Sequence, residues 1–127
     1  MFPFFTLSTE RTYVKNLQDL VDIYVRPASA PVNSIGNVAS SSKETVVPAS
    51  ERKIVFGGLE ALFTFHKESF FPALEAAAAP LLTPQGAASD ADSDGKLSSE
   101  VAMSVGRIFV AHAAFMKMYS SYIKYVY

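Results

Sequence analysis

Apolar residues recur at helical intervals in three stretches of the chain, and no stretch alternates as a strand would. In the first, a repeat of about 100° per residue puts Glu10, Tyr13, Val14, Leu17, Val21 and Tyr24 on one face. Arg11, Lys15, Gln18, Asp19 and Asp22 fall elsewhere. This pattern predicts a helix from about Thr9 to about Val25, with Ser8 as N-cap and Pro27 as its end. The second stretch, about Ala49 to Ala79, carries Ile54, Val55, Leu59, Leu62, Phe63, His66, Phe70 and Leu74 at helical spacing. Gly57-Gly58 should divide it, Pro72 should kink it near Phe70 and Phe71, and Pro80 should stop it. The third should start at Ser98 or Ser99 and run to the end, with Val101, Val105, Ile108, Phe109, His112 and Phe115 opening its stripe. Met116, Tyr119, Tyr122, Ile123 and Val126 continue it.

Two polar gaps separate these regions. Residues 26–47 hold Pro27, Pro31, Gly36 and the run Ser40-Ser41-Ser42, and are expected to form a long flexible loop. A second loop, about 81–97, contains Pro84, Gly86 and an acidic cluster. The expected architecture is all-α: an elongated helical bundle of three main helical regions in one domain.

Composition narrows the function classes. Half of the 127 residues are hydrophobic and 18% are charged, which excludes disorder throughout. A net charge of −1 supplies no basic footprint for nucleic acid. With no cysteine, disulfides, thiol nucleophiles and cysteine-ligated zinc are excluded. No run approaches the ~18 consecutive apolar residues of a spanning helix, and the apolar Met1 to Phe5 has neither a basic lead-in nor a cleavage site. The expectation is a cytoplasmic protein with no direct membrane insertion.

One carboxylate stands out. Glu10 heads an apolar stripe, whereas carboxylates ordinarily occupy the solvated side of a helix. Stabilisation of a helix N-terminus is the plain explanation for it. His66 and His112 lie on apolar faces and read as hydrogen-bonded core or boundary histidines, since neither has a partner three or four residues away that suits catalysis. The run from Asp90 to Leu97 imitates the start of a calcium loop, with acidic residues at positions 1, 3 and 5 and glycine at 6. Position 12, which needs a bidentate Glu, is Val101, and Glu100 comes one residue early, so the expected metal set is none. Gly57-Gly58 lacks the spacing of a phosphate loop. No cofactor is expected and no enzyme active site can be assembled.

The run Thr9-Glu10-Arg11-Thr12-Tyr13-Val14-Lys15-Asn16-Leu17 resembles the first conserved helix of Dbl-homology domains, Thr-Glu-x-x-Tyr-Val-x-x-Leu. Phe56, Leu59, Leu62, His66, Phe70 and Leu74 are similar to that family's second helix. The stretch Val105 to Tyr122 resembles the family's "IG-x-IF" followed by "H-x-x-F-x-K-x-Y-x-x-Y". The resemblance covers nearly all of residues 9–124, leaves 1–8 as a non-matching segment, and looks like a fungal relative. It implies exchange of GDP for GTP on a Rho-family small GTPase, so a GTPase regulator rather than a bond-making enzyme. It implies further that Glu10 contacts the first switch of the GTPase, while Tyr13, Val14 and Leu17 hold that helix in place.

The chain departs from the family in two places. Tyr125 stands where the family has asparagine, and the family's long C-terminal helix, which contacts the second switch, does not follow Tyr127. The expectation is therefore a partial Dbl-homology domain, residues 9–127, weak or inactive by itself. A non-catalytic helical interaction or scaffold module is the alternative.

Overall fold

A computed structural model describes residues 2–32, 44–82 and 95–126. Among these residues the architecture is helical, with one isolated bridge between Pro31 and Thr45 and no strand. Helix α1 spans Phe2–Leu20, α2 Ala49–Phe56, α3 Leu59–Phe65, α4 Phe71–Leu82, α5 Lys96–His112 and α6 Tyr119–Val126. Wider, π-type turns at Val21–Val25 and His66–Phe70 extend α1 and join α3 to α4. A tighter 3-10 stretch, Ala113–Met118, joins α5 to α6.

The prolines account for the wide turns. Each π turn closes with a bond across five residues, Arg26 N–H to Val21 O and Phe71 N–H to His66 O. In each case the next residue is proline, Pro27 or Pro72. A proline ring inside a helix removes one bond and clashes with the carbonyl four residues back, here of Ile23 or Glu68. Widening the turn relieves that clash without breaking the helix. Pro27 therefore does not end α1 directly, since one more turn, Arg26–Ala28, follows. The kink expected at Pro72 takes the form of the widened turn before it.

The π turn also rephases the first stripe. Leu17 and Val21 are buried, and an extra residue in the turn makes Val25 the next buried position. Tyr24, assigned inward by a uniform 100° repeat, is 57% exposed. The start of α1 also differs from expectation. It begins at Phe2 rather than Thr9, with Pro3 in the first turn, where a missing N–H costs no helical bond. Ser8 is an exposed residue inside the helix and not its cap. At the other end of α4, Pro80 lies inside the helix, which runs on to Leu82. Ala76, whose carbonyl loses its partner there, is exposed.

Gly57-Gly58 divides α2 from α3 as the sequence predicts. Gly57 has φ of +59°, a left-handed conformation that side chains disfavour, and its N–H bonds Lys53 O. It lies against Tyr122 of α6, so the same glycine turns the chain and admits a neighbouring helix. The first polar gap is tied at its base. Val46 N–H donates to Ala30 O, Val47 N–H donates to Ala28 O, and the Arg52 guanidinium donates to Val47 O. Helix α5 starts at Lys96 behind Gly95, with φ of +72°, not at a serine cap. Residues 33–43 and 83–94, which hold the serine run and Asp90, Asp92 and Asp94 of the calcium-like sequence, lie outside the described residues. Val101, the residue at position 12 of that sequence, is buried in the core.

Two apolar clusters fill the interior. The first joins Leu7 of α1 to Phe65, Phe70, Leu74, Ala78 and Leu81 and, across α5, to Val101 and Val105. The second joins Leu17, Val21 and Val25 to Leu59 and Phe63, with Tyr13, Val14, Phe56 and Tyr122 packed on it. At about 25 cal/mol per Å², burial of each large side chain contributes about 1.5–3 kcal/mol. The outer side of α5 is different: Met103 and Val110 are exposed, the latter 78% so, whereas Phe109 and Phe115, each about half exposed, still set their rings against Phe70 and Phe65. By length and composition Lys96–Lys124 is apolar enough to cross a membrane, although its inner edge packs on α4.

Candidate functional site

Glu10 sits in the third turn of α1, one turn before Tyr13 on the same face. The dipole of a helix acts within its first turn, so stabilisation of an N-terminus does not explain this carboxylate. Glu10 points inward instead. Its Oε1 accepts a hydrogen bond from His66 Nδ1 at 2.5 Å. The side chains of His66 and Glu10 are 5% and 12% exposed. On the far side of the ring, His66 Nε2 is 2.7 Å from the Tyr119 hydroxyl, which is 2.7 Å from the Tyr13 hydroxyl.

Four side chains from three parts of the fold thus form one chain of hydrogen bonds. A carboxylate can only accept, so Nδ1 must carry a proton. With the ring neutral, every proton then points the same way: Tyr13 to Tyr119, Tyr119 to Nε2, and Nδ1 to Glu10. A protonated ring instead donates through Nε2 to the Tyr119 oxygen and turns the Tyr119 proton towards the Tyr13 oxygen. Tyr119 stays a neutral phenol in either case. Burial pushes its pKa well above the ordinary value, helped by the hydrogen bond and charge interaction with Tyr13 and by the negative charge of Glu10. Among the described residues no buried side-chain nitrogen or oxygen lacks a partner.

Aromatic rings fix the imidazole. Tyr13, Phe65, Phe70 and Tyr119 meet His66 at steep angles, with centroids 4.9 to 6.0 Å away. Phe65 and Phe70 belong to the first apolar cluster, and Tyr13 packs on the second. His66 therefore stands where the two clusters meet. Leu17 is buried one turn beyond Tyr13 and Val14 is half-buried beside it, so the inner face of α1 is anchored directly below Glu10.

The other histidine is also engaged. His112 Nδ1 donates to Ile108 O at 2.8 Å, which leaves Nε2 to accept from the Ser69 hydroxyl at 3.2 Å. Both histidines are hydrogen-bonded core or boundary residues: His66 bonds only side chains distant in sequence, while His112 combines the Ile108 carbonyl one turn back with the distant Ser69. The sequence contained a signal for the first pairing. A carboxylate in an apolar stripe requires a buried donor, and a histidine on the apolar face of another helix is the natural complement.

The site is thus a helical bundle that carries a buried, hydrogen-bonded carboxylate on its first helix. The family model of the RhoGEF domain matches residues 6–127. The chain belongs to that family, the Dbl-homology class of guanine-nucleotide exchange domains, whose partners are Rho-family GTPases. No curated protein and no solved structure matches it.

Proposed function

We propose that the chain promotes GDP release from a Rho-family GTPase in the cytoplasm, with Glu10 as a direct contact to the GTPase. No substrate bond is made or broken. Exchange is accelerated because the domain binds the nucleotide-free GTPase more tightly than the nucleotide-bound one, and only that difference shifts the equilibrium towards release. The observation that carries the reading is the RhoGEF match along almost the whole chain. The placement of Glu10 supports its role: a buried relay holds one carboxylate oxygen while the side chain keeps 12% of its surface open. Tyr13, Val14 and Leu17 hold α1 against the bundle.

As it stands the chain should be a weak exchange factor. Met103 and Val110 are exposed on the outer side of α5, and Phe109 and Phe115 are about half exposed. Full burial of a large apolar side chain is worth about 1.5–3 kcal/mol, so their partial exposure forgoes a share of that against a typical domain stability of ~5–15 kcal/mol. That exposed strip also favours a second reading, a helical interaction module that binds a partner without exchange. Release of fluorescent GDP from a panel of purified Rho-family GTPases separates the two. Acceleration of at least one member supports exchange, and binding without acceleration supports the module.

A further inference from the structure

We infer that His66, braced by Tyr119, is a positioning residue for the GTPase-contacting carboxylate of Glu10. This rests on the reading of Glu10 as a contact. A glutamate side chain has three rotatable bonds, and on an exposed helix surface its carboxylate samples many positions. Here the 2.5 Å bond from His66 Nδ1 fixes Oε1. The ring cannot swing away, because Nε2 is held by Tyr119 and four aromatic rings enclose it. Tyr119 is held in turn by Tyr13, one turn along α1 from the glutamate itself, so the relay closes back on the helix it starts from. A contact group held in place before binding loses less freedom when the partner arrives. The imidazole belongs to the π turn ahead of Pro72.

The test measures affinity for nucleotide-free Rho-family GTPases with the full chain and four variants. Glu10→Gln tests the underlying reading and should weaken binding about tenfold or more. His66→Gln removes the donor at the Nδ1 position and should weaken binding about three- to tenfold, while His66→Asn, which keeps a donor there, should recover most of that loss. The double variant Glu10→Gln/His66→Gln should bind no worse than Glu10→Gln alone, because His66 acts through the carboxylate. A wild-type chain that binds no member of the panel, or Glu10→Gln binding normally, overturns the contact reading itself. Glu10→Gln weak, with His66→Gln normal, tighter or fully additive, overturns the positioning role alone. If His66→Gln does not fold, Tyr119→Phe replaces it, and unchanged affinity in that variant overturns the proposal.

Discussion

Replacing Glu10 with alanine should destabilise the fold, even though the residue is the proposed contact. The substitution removes the acceptor for His66 Nδ1, whose side chain is 5% exposed. A buried donor left unpaired costs about 1–3 kcal/mol, and a hydrogen bond to a charged group is itself worth about 1.5–3 kcal/mol. These describe the same loss from two sides, so the expected cost is about 2–3 kcal/mol. At roughly 3–5 °C per kcal/mol for a chain of this size, Tm should fall by roughly 6–15 °C. Glu10→Gln keeps an acceptor and should cost about half as much. The exposed Asp22–Arg26 pair is a control, since an i, i+4 surface pair contributes about 0.3–0.5 kcal/mol. The assay is thermal and urea unfolding of wild type, Glu10→Ala, Glu10→Gln and Asp22→Ala, followed by circular dichroism. A Glu10→Ala protein that melts within a degree or so of wild type would show that the carboxylate does not pair with His66. Any exchange measurement on this variant must be made where it is fully folded.

Leu17→Ala should lower stability by ~2–5 kcal/mol through a core cavity, with exchange per folded molecule unchanged when both are measured on the same preparation. Tyr119 contributes stability only as a neutral phenol. Because its pKa is raised in the fold, that contribution is intact below the ordinary value of 10.0 and is lost as pH rises beyond it. Phenolate absorbance should show one of the six tyrosines resisting titration until the chain unfolds, and Tyr119→Phe should remove that component. Millimolar calcium should give no saturable rise in Tm, because Val101 is buried in the core where a calcium loop needs a bidentate carboxylate; a rise abolished by Asp90→Ala would contradict this.

Much of the fold was legible from periodicity. The apolar stripes of all three regions identify helices, and Gly57-Gly58 marks a real break. What the pattern could not supply was phase across the widened turns. A uniform repeat carries through Val21–Val25 and assigns Tyr24 inward, whereas the π turn ahead of Pro27 passes the buried position to Val25. Pro80 is expected to stop its helix, although an exposed flank lets a helix continue through a proline. At the candidate site, Glu10 was conspicuous as a carboxylate in an apolar stripe. Its partner was not: His66 lies 56 positions away and Tyr119 a further 53, separations at which only tertiary packing decides who meets whom. The plain local explanation for that carboxylate, a dipole interaction at a helix start, does not apply, because α1 starts eight residues earlier, at Phe2.

The most direct test is stopped-flow release of fluorescent GDP from a panel of Rho-family GTPases, with wild-type chain and Glu10→Gln compared at equal folded concentration. Wild type should accelerate release from at least one member, even if weakly, and Glu10→Gln should lose most of that acceleration. Equal acceleration by both proteins, or binding to a GTPase with no effect of either on release, would contradict the assignment of Glu10 as the contact through which this RhoGEF domain acts.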